Sequence, residues 1–104
     1  MVNKYQLYAD WISANARAAD LERLADRLKC LAESTVTKEM SYLKENWTGS
    51  ASKEYLAKGN RLKNKMLEES RSLRTVALTI RRIAQRTYES EIRALELANS
   101  RTYN

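Results

Sequence analysis

The residue types that ordinarily perform catalysis or bind metals are scarce in this chain. Histidine is absent, and Cys30 is the only cysteine. A Ser-His-Asp triad, a Cys-His pair and a histidine-containing metal site are therefore impossible. The carboxylates are interspersed with Lys and Arg, and no glycine-rich phosphate loop is present. The sequence predicts that the protein is not an enzyme and binds no cofactor or metal.

Cys30 leaves two interpretations open. On a helical wheel it lies about 200° from Leu28 and from Ala32, on the polar side of the helix that contains it. One interpretation is an inert, partly exposed thiol. The other is an intermolecular disulfide formed after export, because a single cysteine cannot close an intrachain bridge.

The formal net charge of +6 comes entirely from the second half of the chain. Residues 1–46 hold seven basic and seven acidic side chains, whereas residues 47–104 hold twelve and six. The excess fits an acidic protein partner, nucleic acid, an anionic surface or a solvated helix face. No aromatic residues interleave with the basic ones and no DNA-reading motif occurs, which disfavours nucleic acid.

Two long amphipathic helices must position these side chains, since the chain has no proline and only two glycines. The first helix is predicted over residues 4–46, with Asn3 as N-cap and Gln6 three residues later. Its apolar residues recur in steps of three or four, which keeps them on one face. They are Leu7, Trp11, Ala14, Ala18, Leu21, Ala25, Leu28, Ala32, Val36, Met40, Leu43 and Trp47, flanked by Leu24, Leu31 and Tyr42.

The second helix is predicted over residues 51–98, followed by a frayed tail. Gly59 falls on its apolar face, where it indicates a close approach of the first helix. Leu56, Leu67 and Leu78 recur every eleven residues on a separate flank, either as a second contact strip or as scattered surface leucines. The apolar face consists of Tyr55, Gly59, Leu62, Met66, Leu73, Val76, Ala77, Ile80, Ala84, Thr87, Leu95 and Ala98.

The sequence shows no pattern typical of a transmembrane helix or of a secretory leader. No apolar run approaches the roughly 20 residues that span a bilayer. The N-terminus lacks a basic region followed by an apolar one. We therefore expect no transmembrane segment and no ordinary secretory signal peptide, which leaves a dedicated export machine as a possible route.

The turn between the helices is predicted at residues 47–50. Trp47 continues the apolar face of the first helix, and Gly49 suits the left-handed backbone that commonly follows a helix end. Ser50 or Thr48 can cap the second helix. This predicts an all-α fold in one domain, residues 1–104, that folds back as an antiparallel two-helix hairpin.

The segment from Trp47 to Tyr55 resembles the WXG family, the ESAT-like helical hairpins of type VII secretion in Gram-positive bacteria. Trp47 and Gly49 match the Trp-x-Gly motif, and Tyr55 matches an aromatic residue often found early in the second helix. The resemblance covers about residues 4–98. It implies a small protein that pairs into a four-helix bundle and is secreted by the type VII system, or remains in the cytoplasm before export.

The chain departs from this family in two respects. Exported members carry an aromatic residue followed four positions later by Asp or Glu, just past the second helix. Here Tyr88 has Glu91 at plus three and Ile92 at plus four, and Ile92 has Glu96 at plus four. The signal is thus degenerate, and the chain is basic where many members are acidic. Both departures fit a protein that escorts a larger toxin or a sister hairpin.

The sequence therefore predicts an interaction protein: a co-secreted substrate, targeting factor or chaperone. Its partner would be a second copy, another hairpin or the N-terminal helical domain of an LXG-type toxin, together with the type VII machinery. A basic nucleic-acid-binding protein and a structural coiled-coil scaffold are the alternatives. The residues predicted to contact the partner are Leu7, Trp11, Leu24, Leu31, Tyr42, Tyr55, Leu56, Leu67, Leu78 and Ile92.

Overall fold

The computed structural model describes residues 3–102, and nearly all of them are helical. Helix α1 spans Lys4–Cys30, a π-helical segment spans Leu31–Val36, α2 spans Thr37–Asn46 and α3 spans Ser50–Thr102. Within residues 3–102 only Asn3 and residues 47–49 lie outside helices, and no strand is present. The prediction of an all-α protein is confirmed.

Helix α1 begins where its capping residue predicts. The Asn3 Oδ1 atom accepts a hydrogen bond of 2.8 Å from the Gln6 backbone N–H. The Asn3 carbonyl accepts the first helical bond, from the Leu7 N–H at 3.1 Å. The Gln6 side chain donates to Asp10 Oδ1 at 2.9 Å. Asn3 therefore occupies otherwise unpaired N–H groups at the helix start, as an N-cap does.

The structure differs from the predicted helices in three details. The first helix is not uniformly α-helical, because the π-helical segment interrupts it. The second helix begins at Ser50, so Gly49 and not Ser50 or Thr48 provides the first carbonyl acceptor, to the Lys53 N–H at 3.3 Å. It also runs to Thr102 and not to residue 98, since nothing in its last turn breaks a helix and Arg101 suits the negative end of the helix dipole. The rest of the predicted tail, residues 103–104, lies outside the described residues.

The chain divides into two compact units. One contains Met1–Leu21 and Thr75–Asn104, and the other contains Glu22–Arg74. In the first unit, α1 and α3 run antiparallel, as the contacts of Trp11 with Gln85 and of Asn15 with Arg81 show. In the second unit the helical segments are also antiparallel. Its contacts join Ala25 to Ser70 and Met40 to Gly59.

Candidate partner-binding surface

The interior of each unit is built from small side chains. Ala18 and Ala77 in the first unit, and Ala25 and Ala32 in the second, have no exposed surface. Leu7 is the one larger apolar residue among residues 3–101 that is classed as buried, at 7% exposed. Alanines at these positions let neighbouring backbones approach closely, and the exposed large apolar side chains lie at the margins. We call the row of buried alanines between the helices the alanine seam.

On one side of the first unit, polar contacts close the margin between the helices. The indole Nε1 of Trp11 donates to Gln85 Oε1 at 3.0 Å. The guanidinium of Arg81 donates to Asn15 Oδ1 at 2.9 Å. Asn15 directly follows Ala14 in the chain. Residues that directly follow the positions in contact with the other helix all lie on one side of that contact.

The second unit is closed on the corresponding side. Asp26, which directly follows the buried Ala25, pairs with Arg74. The buried hydroxyl of Ser70 donates to the Ala25 carbonyl at 2.8 Å. The ion pair is exposed and contributes little to stability, but it occupies this margin with polar groups. We call this side of each unit its closed flank.

The opposite margin of the second unit is apolar and uncovered. Leu24 and Leu31 directly precede the buried Ala25 and Ala32, and each is 47% exposed. On α3, Tyr55 and Leu62 are seven residues apart and 56% and 53% exposed. In an antiparallel pair, the residues preceding the seam on both helices lie on the same side of the contact. These four residues form the open flank of the second unit.

The first unit has an open flank of the same kind. Val76 and Ile83 directly precede Ala77 and Ala84, and Ile83 is 59% exposed. Beside them lies a groove of about 270 Å³. Its lining is mainly apolar and comprises Leu7, Asp10, Trp11, Ala14, Ile80, Ile83, Ala84, Thr87 and Tyr88. Such a groove can receive one or two large apolar side chains of another helix.

Three aromatic rings stiffen one end of this groove. The ring centroids of Trp11 and Tyr88 are 6.0 Å apart, and Tyr8 lies 6.0 Å from Trp11 and 6.5 Å from Tyr88. Because Gln85 satisfies the Trp11 N–H, the indole can present its apolar ring to the groove without an unpaired donor.

The turn residues singled out in the sequence lie together. Gly49 has a φ of +114°, which L-residues with a side chain rarely adopt. Its carbonyl also accepts a 2.7 Å hydrogen bond from the buried Ser52 hydroxyl. The Trp47 and Tyr55 ring centroids are 5.2 Å apart, and Lys58 Nζ lies 5.9 Å from the Tyr55 ring.

The predicted contact residues differ widely in their exposure. Leu7 is buried, and its side chain forms part of the groove lining. Leu24, Leu31, Tyr42, Tyr55 and Leu78 are exposed, whereas Trp11, Leu56, Leu67 and Ile92 are half-buried. Leu62 and Val76 were assigned to the core face and Ile83 was not singled out, yet all three are exposed. Tyr55, Leu62, Val76 and Ile83 fall on one seven-residue repeat, in which Glu69 occupies the remaining position, and this repeat is the sequence signal for the open flanks.

The residues compared with the export signal of the WXG family, Tyr88, Glu91, Ile92 and Glu96, lie within α3. Ile92 and Glu96 line one shallow depression together with Tyr88. Glu91 is exposed, but Tyr88 is half-buried against Tyr8 and Trp11. The aromatic side chain of this segment is therefore already engaged within its own unit.

No helix within residues 3–102 combines the length and apolar composition needed to cross a membrane. In the same part of the chain, no three His, Cys, Asp or Glu side chains are grouped so that they could hold a metal ion. Comparison with protein-family models, with curated proteins and with solved structures finds no match to this chain.

Proposed function

We propose that this protein is a WXG-like helical hairpin that acts by docking a helical partner. The two helical arms would be joined by a Trp-x-Gly turn at Trp47 and Gly49, and a partner hairpin or toxin domain would complete a four-helix bundle. The protein would serve type VII secretion in a Gram-positive bacterium as a co-secreted substrate, targeting factor or chaperone. It would thus be an interaction protein and not an enzyme.

The observation that carries this proposal is the contrast between the two flanks. On the closed flank, side chains of the same unit satisfy one another, as Asn15 and Arg81 do. On the open flank of each unit, large apolar side chains are about half exposed, as Leu24 and Leu62 are in the second unit and Ile83 is in the first. Neighbouring exposed apolar side chains of this kind are typical of surfaces that bind another protein. Their seven-residue spacing suits a partner that is itself helical.

The amount of uncovered surface supports the same proposal. The accessible surface is 8321 Å². A compact monomer of 12.1 kDa would expose about 6,000 Å². The excess, about 2,300 Å², is of the size that one partner contributes to a large, obligate interface. Burying part of it against another helix pair would supply the apolar contacts that the alanine seam does not.

Two local features support the family resemblance and the escort role. Gly49 adopts the positive φ that a Trp-x-Gly turn would require, and Trp47 packs on the early aromatic Tyr55. At the other end, Tyr88 is engaged by Tyr8 and Trp11 and is not presented for recognition. A protein with that arrangement fits export together with a partner better than export alone.

The first experiment tests docking by substitutions matched in exposure. Leu62 and Leu78 are both 53% exposed on α3. The sequence pattern also placed Leu78 among the contact residues, but it directly follows Ala77, so it lies on the other side of the inter-helix contact from the open flank. Each is changed to Asp, and the variant is co-expressed with the helical hairpin or toxin domain encoded beside its gene. We expect Leu62→Asp to weaken the complex about 30-fold or more, because a charge would be buried at an apolar contact. Leu78→Asp should leave the affinity within about threefold.

Size-exclusion chromatography with light scattering and a titration of the complex give the two readouts. Equal losses in both variants, or a larger loss in Leu78→Asp, would refute the assignment of the docking face. A stable lone monomer that binds neither itself nor any neighbouring hairpin would remove the docking function itself.

The second experiment tests the secretory role in the bacterium that encodes the protein. The tagged chain is followed in the culture medium of strains with and without the type VII ATPase, and with and without the partner gene. We expect extracellular protein only when both are present, or a partner that is exported only when this chain is made. Partner export that is unaffected by loss of this chain, with no ATPase-dependent release of the chain itself, would contradict a role in secretion.

A further inference from the structure

The buried residues of the second unit change phase at the π-helical segment. Before it, covered positions alternate in steps of three and four, as in Ala25, Leu28 and Ala32. After it, the same alternation resumes with Met40 and Leu43. From Ala32 to Met40 there are eight residues, whereas the preceding repeat from Ala25 to Ala32 has seven. The stretch that contains the π-helical segment therefore holds one residue more than a regular seven-residue repeat.

Exposure shows which phase the chain has adopted. An uninterrupted seven-residue repeat would place Thr35, Glu39, Tyr42 and Asn46 against α3, yet all four are exposed. Three of the positions displaced by one, Val36, Met40 and Leu43, are half-buried. The change of phase occurs within Leu31–Val36, the span that is π-helical.

We infer that the π-helical segment is a register adapter, which stores one inserted residue so that the helix on each side can face α3. A π-helix closes its hydrogen bonds over five residues where an α-helix uses four, so one turn of it absorbs one additional residue. The Thr37 hydroxyl shows the longer spacing, because it donates a hydrogen bond of 3.1 Å to the carbonyl of Ala32, which is five positions back. Hydroxyl bonds to the helix's own backbone in α-helices ordinarily reach four positions back.

The contacts on the far side depend on this adapter. Met40 packs on Gly59, and Trp47 packs on Tyr55. If residues 31–36 became α-helical without losing a residue, everything beyond them would rotate by about 100° and advance by about 1.5 Å. Glu39 would then take the position of Met40 against Gly59. The segment is thus a conformational device with two registers, of which the apolar contacts select one.

The inference predicts that a residue can be removed from the middle of this helix without harm. Deleting Thr35 should turn the segment into α-helix and bring Thr37 to four positions from Ala32, while Met40 keeps its place. The matched control is deletion of Arg23, also exposed but within regular α-helix. There, a deletion rotates one part of the alanine seam away from its partner. The inference does not depend on the secretory role proposed above.

Thermal unfolding by far-ultraviolet circular dichroism and Trp47 emission in a Trp11→Phe background provide the readouts. We expect the Thr35 deletion to melt within about 4 °C of the parent, with unchanged emission, and the Arg23 deletion to melt lower by more than about 15 °C. Inserting one alanine after Thr35 should be as damaging as the Arg23 deletion. Equal damage from the two deletions would overturn the inference. So would a stable Thr35 deletion whose Trp47 emission has shifted, because the register would then have changed.

Discussion

Gly59 offers a quantitative test of how closely the two helical segments of the second unit approach. A β-carbon built on Gly59 would lie 3.0 Å from both Cγ and Sδ of Met40. Carbon atoms in favourable contact are about 3.5–4.0 Å apart, so the Met40 side chain would have to move by a few tenths of an ångström. Substituting Gly59 with alanine therefore combines a gain in helix propensity with a steric cost.

The two contributions can be estimated separately. Replacing glycine by alanine inside a helix stabilises by about 1 kcal/mol. Overpacking usually costs about 1–3 kcal/mol, and the flexible methionine places this case near the lower end. Gly59→Ala should therefore change the free energy of unfolding by less than about 1 kcal/mol. In a Met40→Ala background, where the obstruction is gone, the same change should stabilise by about 1 kcal/mol.

Urea denaturation of the four proteins in this cycle measures the coupling between the two sites. We expect a coupling of about 1 kcal/mol or more between Gly59 and Met40. Met66→Ala supplies the control background, because Met66 is also half-buried but lies on the same helix as Gly59, seven residues away. If Gly59→Ala stabilised equally in the parent and in the Met40→Ala background, Met40 would not pack on Gly59 and the reasoning would fail.

Four further outcomes are expected, each measured by urea or thermal unfolding. Gly49→Ala should destabilise by about 1–2 kcal/mol although no atom lies within 4 Å of the new β-carbon, because its φ is +114°; no effect would contradict the turn geometry. Ala25→Leu should destabilise by about 3 kcal/mol, whereas Ala16→Leu at an exposed site should be neutral; similar losses would argue against an alanine seam. Ser70→Ala should cost about 1 kcal/mol through its lost bond to the Ala25 carbonyl, and an unchanged midpoint would dismiss that bond. Arg74→Met should cost under about 1 kcal/mol, decreasing with added salt, and a large salt-independent loss would indicate a role beyond the surface ion pair.

Helix content and the start of the first helix could be predicted from the sequence because they depend on local interactions. Asn3 caps its own helix through a neighbouring N–H, and composition without proline favours helix throughout. The end of that helix at Asn46 and the positive φ of Gly49 also follow from residues in the same short segment. No distant contact is needed to decide any of these features.

The π-helical segment could not be recognised by counting steps of three and four. Leu28, Ala32, Val36 and Met40 are separated by three successive steps of four, which satisfy a helical pattern as well as alternating steps do. The inserted residue becomes apparent only when the steps are added and the total is compared with a regular seven-residue repeat. Deciding between a drifting face and a local π-turn requires knowing which residues α3 covers, and that is a tertiary contact.

The open flank was assigned only in part for a related reason. A seam of alanines lets the backbones approach so closely that neighbouring leucines are pushed to its edges. Leu62 and Val76 therefore look like core residues by periodicity but remain about half exposed. Leu24 and Leu31 were correctly placed outside the main face, because the alanines that follow them define that face more sharply.

The alanine seam also has a calorimetric consequence. The heat-capacity increment of unfolding grows with the apolar area that becomes hydrated, and is about 1.2–1.5 kcal/mol/K for an ordinary domain of 100 residues. Within residues 3–101 no large side chain is fully buried, so unfolding of the isolated chain hydrates less apolar area than unfolding of an ordinary domain of this size. Its stability curve should be flat and its melting transition broad. Association with a partner should sharpen that transition and restore an ordinary increment.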